Sequence, residues 1–363
     1  MTQSRRQMLN LLAAGSAAAV SGSVVPNAFA SDDSRSKPKP RIRVGQIGVG
    51  HAHANKLSVY RSSPDYEVVG IVEPNEERRK AAQNQSPYQD LTWMTQEQLL
   101  NQPDLQVVLV ETEVRNLLDT ADVCIDAGKH IHLDKPAGSS LQQYESLLKR
   151  AEARNLIVQM GYMYRYNPAV LLLRDLLRNG WLGEIFEVHT VMSKVVPAAS
   201  RKALAEFSGG IMFELGCHIT DLVVGILGEP SSVTSNVKRS TTAVDGLADN
   251  VIALFDYPRA SATVRSSAIE IDGGQRRHLT VCGTRGTFHI QPLDNPTVRM
   301  ALAEVHDPWK RGYQDVTLPK YARYVGDAAD MAAIVREEKA CDFSYSHDLA
   351  VQRTVLKASG MLD

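Results

Sequence analysis

Residues 41–63, RIRVGQIGVGHAHANKLSVYRSS, decide the fold of the first half of this chain. An apolar strand ends in Gly48-x-Gly50, and a helical segment follows. In a dinucleotide-binding fold the first glycine makes a tight turn and the second admits the pyrophosphate, which faces the amides at the helix start. The stretch therefore predicts a strand–turn–helix nucleotide site in which Gly48, Val49, Gly50 and His51 contact the cofactor.

The third position of this glycine motif is His53 rather than glycine or alanine, so the motif alone is also compatible with an ordinary turn. A second predicted strand, 66–72, ends at Glu73. A carboxylate there accepts hydrogen bonds from the adenosine ribose and repels a 2′-phosphate. The sequence thus favours NAD over NADP, while Arg78 and Arg79 leave NADP open.

Strands and helices alternate through the rest of the first half. Further strands are predicted at 105–112, 130–136 and 156–162, and helices near 95–102, at 114–127 and at 141–155. This alternation is typical of an α/β fold with a doubly wound parallel sheet. We predict a Rossmann domain over 41–165.

The pattern changes from about residue 184 to strands without helices between them. The predicted strands are 184–192, 231–239, 250–257, 261–270 and 276–290, and the predicted helices are 209–228, 327–339 and 347–361. Strands in succession favour a large, mostly antiparallel open sheet. We predict a C-terminal α+β domain over 166–363.

Composition excludes several classes of protein. The 363 residues suggest two domains. The chain has 40 Lys and Arg against 41 Asp and Glu, which argues against a nucleic-acid partner. Its four scattered cysteines predict neither a disulfide scaffold nor a structural zinc site. The pairs His51/His53 and His130/His132 have no carboxylate or cysteine at the usual spacing, so we predict no metal site.

The N-terminal sequence has the pattern of an export signal. Arg5-Arg6 precedes a weakly apolar run that ends at the small-x-small triplet Ala28-Phe29-Ala30. This pattern predicts a twin-arginine signal peptide over 1–30, a linker over 31–40 and a periplasmic location. Serines and a glycine interrupt the apolar run, so we expect no membrane span after processing. Because the periplasm offers no large nucleotide pool, an exported enzyme must hold its cofactor tightly.

Four later segments carry a family resemblance. They are HIHLDKPAG (130–138), GYMYRYNPAV (161–170), GWLGEI (180–185) and GGIMFELGCHITDLVVGILGEP (209–230). With the glycine turn, they make residues 41–363 resemble the family of glucose–fructose oxidoreductase, inositol dehydrogenase and the rhizopine-catabolism proteins (Gfo/Idh/MocA). Two features depart from that family. Thr112-Glu113-Val114 replaces its usual Thr-Pro-Asn, and Glu214 stands where an aspartate is usual.

The resemblance implies a reaction and a set of partners. It implies hydride transfer between NAD(P) and a hydroxyl-bearing carbon of a sugar, a polyol or a derivative of either. Thr112, Asp134 and Lys135 would contact the cofactor. The sheet face of the second domain would be buried in a homodimer or homotetramer.

Residue chemistry supports a catalytic group of three. Lys135 lies at the carboxyl end of a parallel strand, where ligands bind in such sheets, and would polarise the substrate oxygen. Glu214 and His218 are four residues apart on one face of an apolar helix. His218 would be the general base because imidazole titrates near operating pH. Glu214 would orient the imidazole or the substrate.

Three further residues are predicted to bind substrate. Arg165 and Tyr166 would line the cleft, and Asp221 would either bind substrate or brace the helix.

Two other functions remain open at this point. Some exported members of the family are glycosidases that retain NAD and oxidise a ring hydroxyl transiently, using the same base and lysine. A non-catalytic carbohydrate-binding protein is the other alternative, and it is favoured by His53 and by Thr112-Glu113-Val114.

Overall fold

The computed structural model describes residues 39–362 and contains two β-sheets. The first is entirely parallel, with strand order β2-β1-β3-β4-β5. Its strands are β1 (Ile42–Ile47), β2 (Tyr66–Val72), β3 (Leu105–Val110), β4 (His130–Leu133) and β5 (Val158–Met160). The predicted doubly wound parallel sheet is therefore confirmed. The predicted signal peptide and most of the predicted linker lie outside the described residues.

Five α-helices cover this sheet. They are α1 (Leu57–Ser62), α2 (Glu76–Ala82), α3 (Gln96–Leu100), α4 (Leu117–Asp126) and α5 (Leu141–Ala153). Side chains cap several of them: Thr95 and Gln98 form a capping box at α3, and the Ser140 hydroxyl accepts from the Gln143 amide at α5. The helix after the glycine turn begins later than predicted, because a 3₁₀ turn, Ala54–Lys56, comes first.

The second sheet has eight strands in the order β13-β12-β11-β10-β6-β9-β8-β7. They are β6 (Ile185–Ser193), β7 (Ser232–Lys238), β8 (Asn250–Asp256), β9 (Ser261–Ser267), β10 (His278–Gly283), β11 (Gly286–Ile290), β12 (Val298–Leu302) and β13 (Gly312–Val316). Every pairing is antiparallel except β6 with β9, which confirms the mostly antiparallel sheet. The sequence did not predict β12 and β13, because each has only five residues and polar side chains interrupt both.

Six more α-helices belong to the second half of the chain: α6 (Pro168–Arg178), α7 (Ala198–Leu204), α8 (Cys217–Leu227), α9 (Gly273–Arg276), α10 (Val325–Val335) and α11 (Tyr345–Ala358). The predicted helix over 209–228 is in fact a π-helical turn, Met212–Gly216, that continues into α8. Wide turns of this kind are frequent at functional sites.

The last two helices pack on the first sheet although they follow the second in sequence. Ala328 and Met331 of α10 join the apolar core beneath β1, and Val351 and Val355 of α11 join the core that contains β4. The chain therefore returns to the nucleotide side at its end, and Tyr324, which precedes α10, lies beside the predicted site. The predicted domain boundary between residues 165 and 166 stays a prediction.

The second sheet has one covered and one open face. Along β8, buried residues alternate with exposed ones, and Ile252 and Leu254 are 40% and 47% exposed on the open side. Among the helices of residues 39–362, none combines the length and apolarity needed to cross a bilayer.

Candidate active site

The glycine turn follows β1 and lies directly against the end of β3. Gly48 has φ +94°, and a Cβ placed on it would lie 2.5 Å from the Thr112 nitrogen. A Cβ on Gly50 would lie 3.1 Å from Nη1 of Arg78. Gly48 therefore needs glycine for its positive φ and its close backbone approach, whereas a Cβ on Gly50 would meet only side-chain atoms of Glu113 and Arg78. The turn has the compactness that a pyrophosphate-binding turn requires.

Glu73 directly follows β2, where the sequence predicted it, and its buried carboxylate holds this turn in place. Its carboxylate accepts from the backbone amides of Val49 and Asn75, each at 3.0 Å. Nη1 of Arg78 lies 3.4 Å from the same carboxylate, so a cation stands beside the predicted ribose ligand. This pairing keeps NADP open as well as NAD.

Thr112 lies at the end of β3, next to Gly48. Its hydroxyl oxygen is buried and has no hydrogen-bond partner within residues 39–362. Buried hydroxyls normally have a hydrogen-bond partner, so an unpartnered Thr112 hydroxyl beside the glycine turn fits a bound polar group. Together, Gly48, Gly50, Glu73 and Thr112 fit the adenosine and phosphate portion of a dinucleotide.

A buried group of charges lies deeper, at the ends of β3 and β4. Nζ of Lys56 lies 2.6 Å from Oδ2 of Asp134, 2.9 Å from Oε1 of Glu111 and 2.7 Å from Nε2 of His132. Nδ1 of His132 in turn lies 2.8 Å from the Gln159 side-chain oxygen. All four ionisable side chains are nearly inaccessible. We call Lys56, Glu111, His132 and Asp134 the ionic cluster.

Mutual interactions set the charges of the ionic cluster. Burial opposes the charge of Lys56, but Asp134 and Glu111 outweigh it and raise its pKa. Burial likewise opposes ionisation of Asp134, yet His51 and Lys56 hold its pKa well below the ordinary value. Burial and the adjacent Asp134 carboxylate raise the pKa of Glu111. Burial, reinforced by Lys56, lowers the pKa of His132 to about 3.

His51 and His53 point from the glycine turn toward Asp134. Nδ1 of His51 lies 3.3 Å from Oδ2 of Asp134, and Nδ1 of His53 lies 3.1 Å from Oδ1. The backbone amide of His51 donates to the Glu111 carbonyl at 3.0 Å, so this amide is already occupied. The predicted cofactor contact of His51 stays a prediction, and its side chain faces Asp134.

Lys135 and Glu214 meet between the two halves of the chain. Nζ of Lys135 donates to the Glu214 carbonyl at 2.8 Å and lies 3.6 Å from its carboxylate. Although burial opposes both charges, Glu214 raises the pKa of Lys135, while Lys135 and Lys194 lower that of Glu214 to about 2. Lys135 is therefore a buried ammonium group whose donors are not all used.

His218 is almost completely buried on α8, and its Nδ1 has no hydrogen-bond partner in the described part of the chain. Its ring lies 5.5 Å from the rings of both His53 and Tyr164. Burial first, and then the charge of Lys135, lower its pKa well below 6.5. The role of His218 as general base stays a prediction, and in this desolvated, cationic site its ring would act from the neutral form.

The structure brings Lys135, Glu214 and His218 into one site, but Glu214 does not contact His218 through a hydrogen bond. Across residues 39–362, no hydrogen bond links the Glu214 carboxylate to the His218 ring. Glu214 instead lies between two lysines, with Nζ of Lys194 at 3.5 Å. The placement favours orientation of Lys135 over orientation of the imidazole.

Arg165 and Asp221 are paired with each other. Nη2 of Arg165 lies 2.5 Å from Asp221 and 2.6 Å from Asp348 on α11, and all three side chains are buried. Tyr166 donates to Asp330 at 2.7 Å. Substrate binding by Arg165, Tyr166 and Asp221 stays a prediction, and their contacts give them a bracing role.

Sequence reasoning missed several residues of this site. Lys56 and Glu111 carry no motif, although a lysine on the apolar face of a short helix is itself a signal of a buried partner. Tyr164, rather than Tyr166, contacts the His218 ring, and its hydroxyl donates to Asp294 at 2.6 Å. Asp294 also pairs with Arg277 at 2.6 Å. These contacts join the 3₁₀ turn after β5, Met163–Tyr166, to α8 and to the second sheet, which no local pattern reveals.

Comparisons with known proteins agree with this geometry. Residues 42–162 match the oxidoreductase family with an NAD-binding Rossmann fold, and residues 170–289 match the GFO/IDH/MocA C-terminal domain. Bovine trans-1,2-dihydrobenzene-1,2-diol dehydrogenase is 24% identical over 270 residues, which span 72% of this chain and 78% of that protein.

A second relative is the scyllo-inositol 2-dehydrogenase (NADP(+)) IolW of Bacillus subtilis (strain 168). It is 25% identical over 186 residues, which span 50% of this chain and 51% of that protein. Among solved structures, the UDP-N-acetylglucosamine 3-dehydrogenase GnnA of Acidithiobacillus ferrooxidans has a TM-score of 0.73 and 19% identity, and the match covers 89% of this chain and 98% of that one. At that identity the structural likeness concerns the fold.

Proposed function

This chain belongs to the GFO/IDH/MocA family of NAD(P)-dependent oxidoreductases, and from that premise we propose that it transfers hydride between NAD(P) and a hydroxyl-bearing carbon of a sugar, a polyol or a derivative of either. One observation carries the proposal. Lys135 and His218 are both buried at this site, and Nδ1 of His218 has no hydrogen-bond partner among residues 39–362. This pairing suits polarisation and deprotonation of an alcohol.

The nucleotide would be held by the turn at Gly48–Gly50, by Glu73 and by Thr112. Glu73 is poised to receive ribose hydroxyls, while Arg78 beside it offers a cation. A bound nicotinamide supplies the hydride acceptor or donor that no amino-acid side chain provides. Lys135 and Asp134, at the end of β4, would line the inner end of the same crevice.

Lys135 and His218 have different roles at the substrate hydroxyl. Lys135 donates a hydrogen bond to the oxygen and stabilises the negative charge that develops on it, with most effect in a buried site. The neutral His218 ring accepts the hydroxyl proton. Glu214 keeps Lys135 protonated and in place through its carbonyl and its carboxylate. In the reverse direction His218 returns the proton and Lys135 polarises a carbonyl.

The substrate class follows from two relatives. The bovine protein is named for a cyclic 1,2-diol and the Bacillus protein for a cyclic polyol. Both names describe a ring with a secondary alcohol beside another hydroxyl. We therefore place the substrate of this chain among cyclic sugars and polyols with vicinal hydroxyls.

A screen of sugars and polyols tests the function. The protein is incubated with NAD or NADP and each compound in turn, and absorbance at the NADH wavelength is followed. The result expected is turnover of at least one cyclic polyol or sugar by the wild type and none by Lys135→Met. Cleavage of an aryl glycoside without net NADH formation would overturn net oxidation in favour of redox-assisted hydrolysis. Nucleotide binding without either reaction across the panel would count against the substrate class.

Two further proposals concern the context of the enzyme. The Arg5-Arg6 signal pattern supports export by the twin-arginine route and a periplasmic location, which fractionation of the source cells would test. The open face of the second sheet, with exposed Ile252 and Leu254, supports assembly into a homodimer or homotetramer. Light scattering coupled to gel filtration would measure the mass directly.

A further inference from the structure

We propose that His51, His53 and Asp134 form a binding site for one divalent transition-metal ion of the zinc type, at the inner end of the nucleotide crevice. The proposal goes beyond hydride transfer and does not depend on it. Each residue offers one ligand atom, and the three atoms lie within 4.8 Å of one another. The sequence offered only the His51/His53 pair and predicted no metal site, because Asp134, which follows β4, is 81 residues from His53.

The separations fit a small ion. Nδ1 of His51 lies 3.3 Å from Oδ2 of Asp134, and Nδ1 of His53 lies 3.1 Å from Oδ1. Tetrahedral zinc binds nitrogen and oxygen at about 2.0–2.2 Å, which sets neighbouring ligand atoms about 3.3 Å apart. Two imidazoles and one carboxylate are also the ligand types that zinc prefers.

The hydrogen-bond pattern leaves the ligand nitrogen of His51 free of a proton in the neutral ring. Nε2 of His51 lies 3.0 Å from the Lys135 carbonyl, which only accepts, so Nε2 carries the hydrogen. A metal-bound histidine is typically held in this way, with its other nitrogen donating to an oxygen. The backbone amide of His53 donates to Nδ1 of His51 at 3.2 Å, and metal binding would replace this long hydrogen bond.

The other two ligands already contact each other. Nδ1 of His53 donates a hydrogen bond to Oδ1 of Asp134 at 3.1 Å, and a metal ion would replace the proton between them while the ring keeps its hydrogen on Nε2. Nδ1 of His51 likewise faces Oδ2 of Asp134 at 3.3 Å, and the ion we propose would lie between these ligand atoms.

The ionic cluster shows that this region already holds one cation. A second set of possible ligands, Glu111, His132 and Asp134, surrounds Nζ of Lys56 at 2.6–2.9 Å. That inner position is filled by the ammonium group. The outer position, between His51, His53 and Asp134, shares Oδ2 of Asp134 with Lys56, and no other Lys or Arg among residues 39–362 pairs with that carboxylate.

The outer position also has access from the cleft. The His53 side chain is 12% exposed, and its ring lies 5.5 Å from His218 and 5.7 Å from Tyr324. Three protein ligands with one open position are typical of catalytic rather than structural zinc sites. The open position would accept water or an oxygen of a bound molecule.

Cobalt binding tests the proposal without any enzymatic assay. Untagged protein, stripped with a chelator, is titrated with Co²⁺ while visible absorption is recorded, and bound metal is counted by mass spectrometry after gel filtration. We expect one Co²⁺ per chain with the intense visible bands of low-coordinate cobalt, and displacement by Zn²⁺. His51→Ala and His53→Ala should each weaken binding at least about tenfold, since loss of a residue that merely supports a metal ligand already costs that much.

A matched control comes from the second His-x-His pair. His130 is partly buried on β4, and its Nδ1 accepts from the Ile157 amide outside the proposed site. His130→Ala should bind Co²⁺ as the wild type does. Absence of stoichiometric binding by the wild type, or equal binding by all three variants, would overturn the proposal. Circular dichroism and urea unfolding confirm that the variants are folded, and separate NAD titrations keep a failed metal site distinct from a failed nucleotide site.

Discussion

The outer and inner ends of the nucleotide crevice are built in different ways. At the outer end, the turn at Gly48–Gly50 is held by backbone packing and by one carboxylate, Glu73. At the inner end, the ionic cluster and two histidines gather around the single carboxylate of Asp134. The outer end depends mainly on backbone contacts, whereas the inner end depends on buried charges that must stay paired. Function should therefore be more sensitive to substitutions at the inner end.

Removing the central cation should give the largest effect. Lys56→Met leaves Asp134 buried without its closest counter-charge, and breaking a buried ion pair in this way costs about 3–5 kcal/mol in unfolding free energy. Urea unfolding measures this loss. The matched control is Lys80→Met on α2, whose lysine pairs with Glu76 at the surface and is 57% exposed. The control should change stability by less than about 1 kcal/mol. Equal losses for the two variants would contradict the contrast between the ends.

Lys135→Met should abolish most turnover without removing the nucleotide. The variant loses the buried donor to the substrate oxygen, and such donors contribute about 10²–10³-fold to kcat. Steady-state kinetics on a substrate from the screen measures this change, with NAD affinity determined by titration. Lys149→Met on the exposed face of α5 is the control and should retain full activity. A loss confined to NAD affinity would place Lys135 in cofactor binding alone.

The pH profile tests the buried state of His218. The base acts in its neutral form, and burial lowers its pKa well below 6.5, so the ring stays neutral as the pH falls through that value. We expect kcat/KM to stay level from pH 7.5 down through 6.5 and His218→Asn to lose about 10²-fold at every pH in that range. An acid limb near 6.5 that disappears in the variant would show that His218 titrates as an ordinary histidine.

The smallest expected effect is on cofactor preference and comes from a substitution at the outer end of the crevice. Glu73→Ser removes the carboxylate that opposes a 2′-phosphate and leaves Arg78 unopposed, so the preference for NAD over NADP should fall by about tenfold, or 1.4 kcal/mol. Titration with both nucleotides gives the ratio. Glu76→Gln, a neighbouring exposed carboxylate, should leave it unchanged. An unaltered ratio in Glu73→Ser would remove Glu73 from cofactor discrimination.

The same contrast explains what the sequence could predict. Gly48, Gly50, Glu73 and the alternation of strands and helices depend on local patterns, and the structure has them where these patterns indicated. The ionic cluster was not predicted, because its members come from three separate segments and meet only when the sheet is assembled.

Burial determines what the sequence could not indicate about His218. Its chemistry was inferred from spacing on a helix, but its pKa depends on the surrounding elements that exclude water and on Lys135. The pairing of Arg165 with Asp221 and Asp348 has the same cause, since α11 supplies Asp348 from a distance of 183 residues. Residue types at a site follow from local sequence, whereas their charge states follow from tertiary packing.

Identification of retained nucleotide tests the central claim most directly. Protein purified without added cofactor is denatured, and the supernatant is analysed by chromatography against NAD, NADH, NADP and NADPH standards. Our account predicts a nicotinamide dinucleotide, with NAD(H) the main form, either retained on the chain or bound stoichiometrically when added to empty protein. Empty protein that also fails to bind added NAD and NADP would contradict the account.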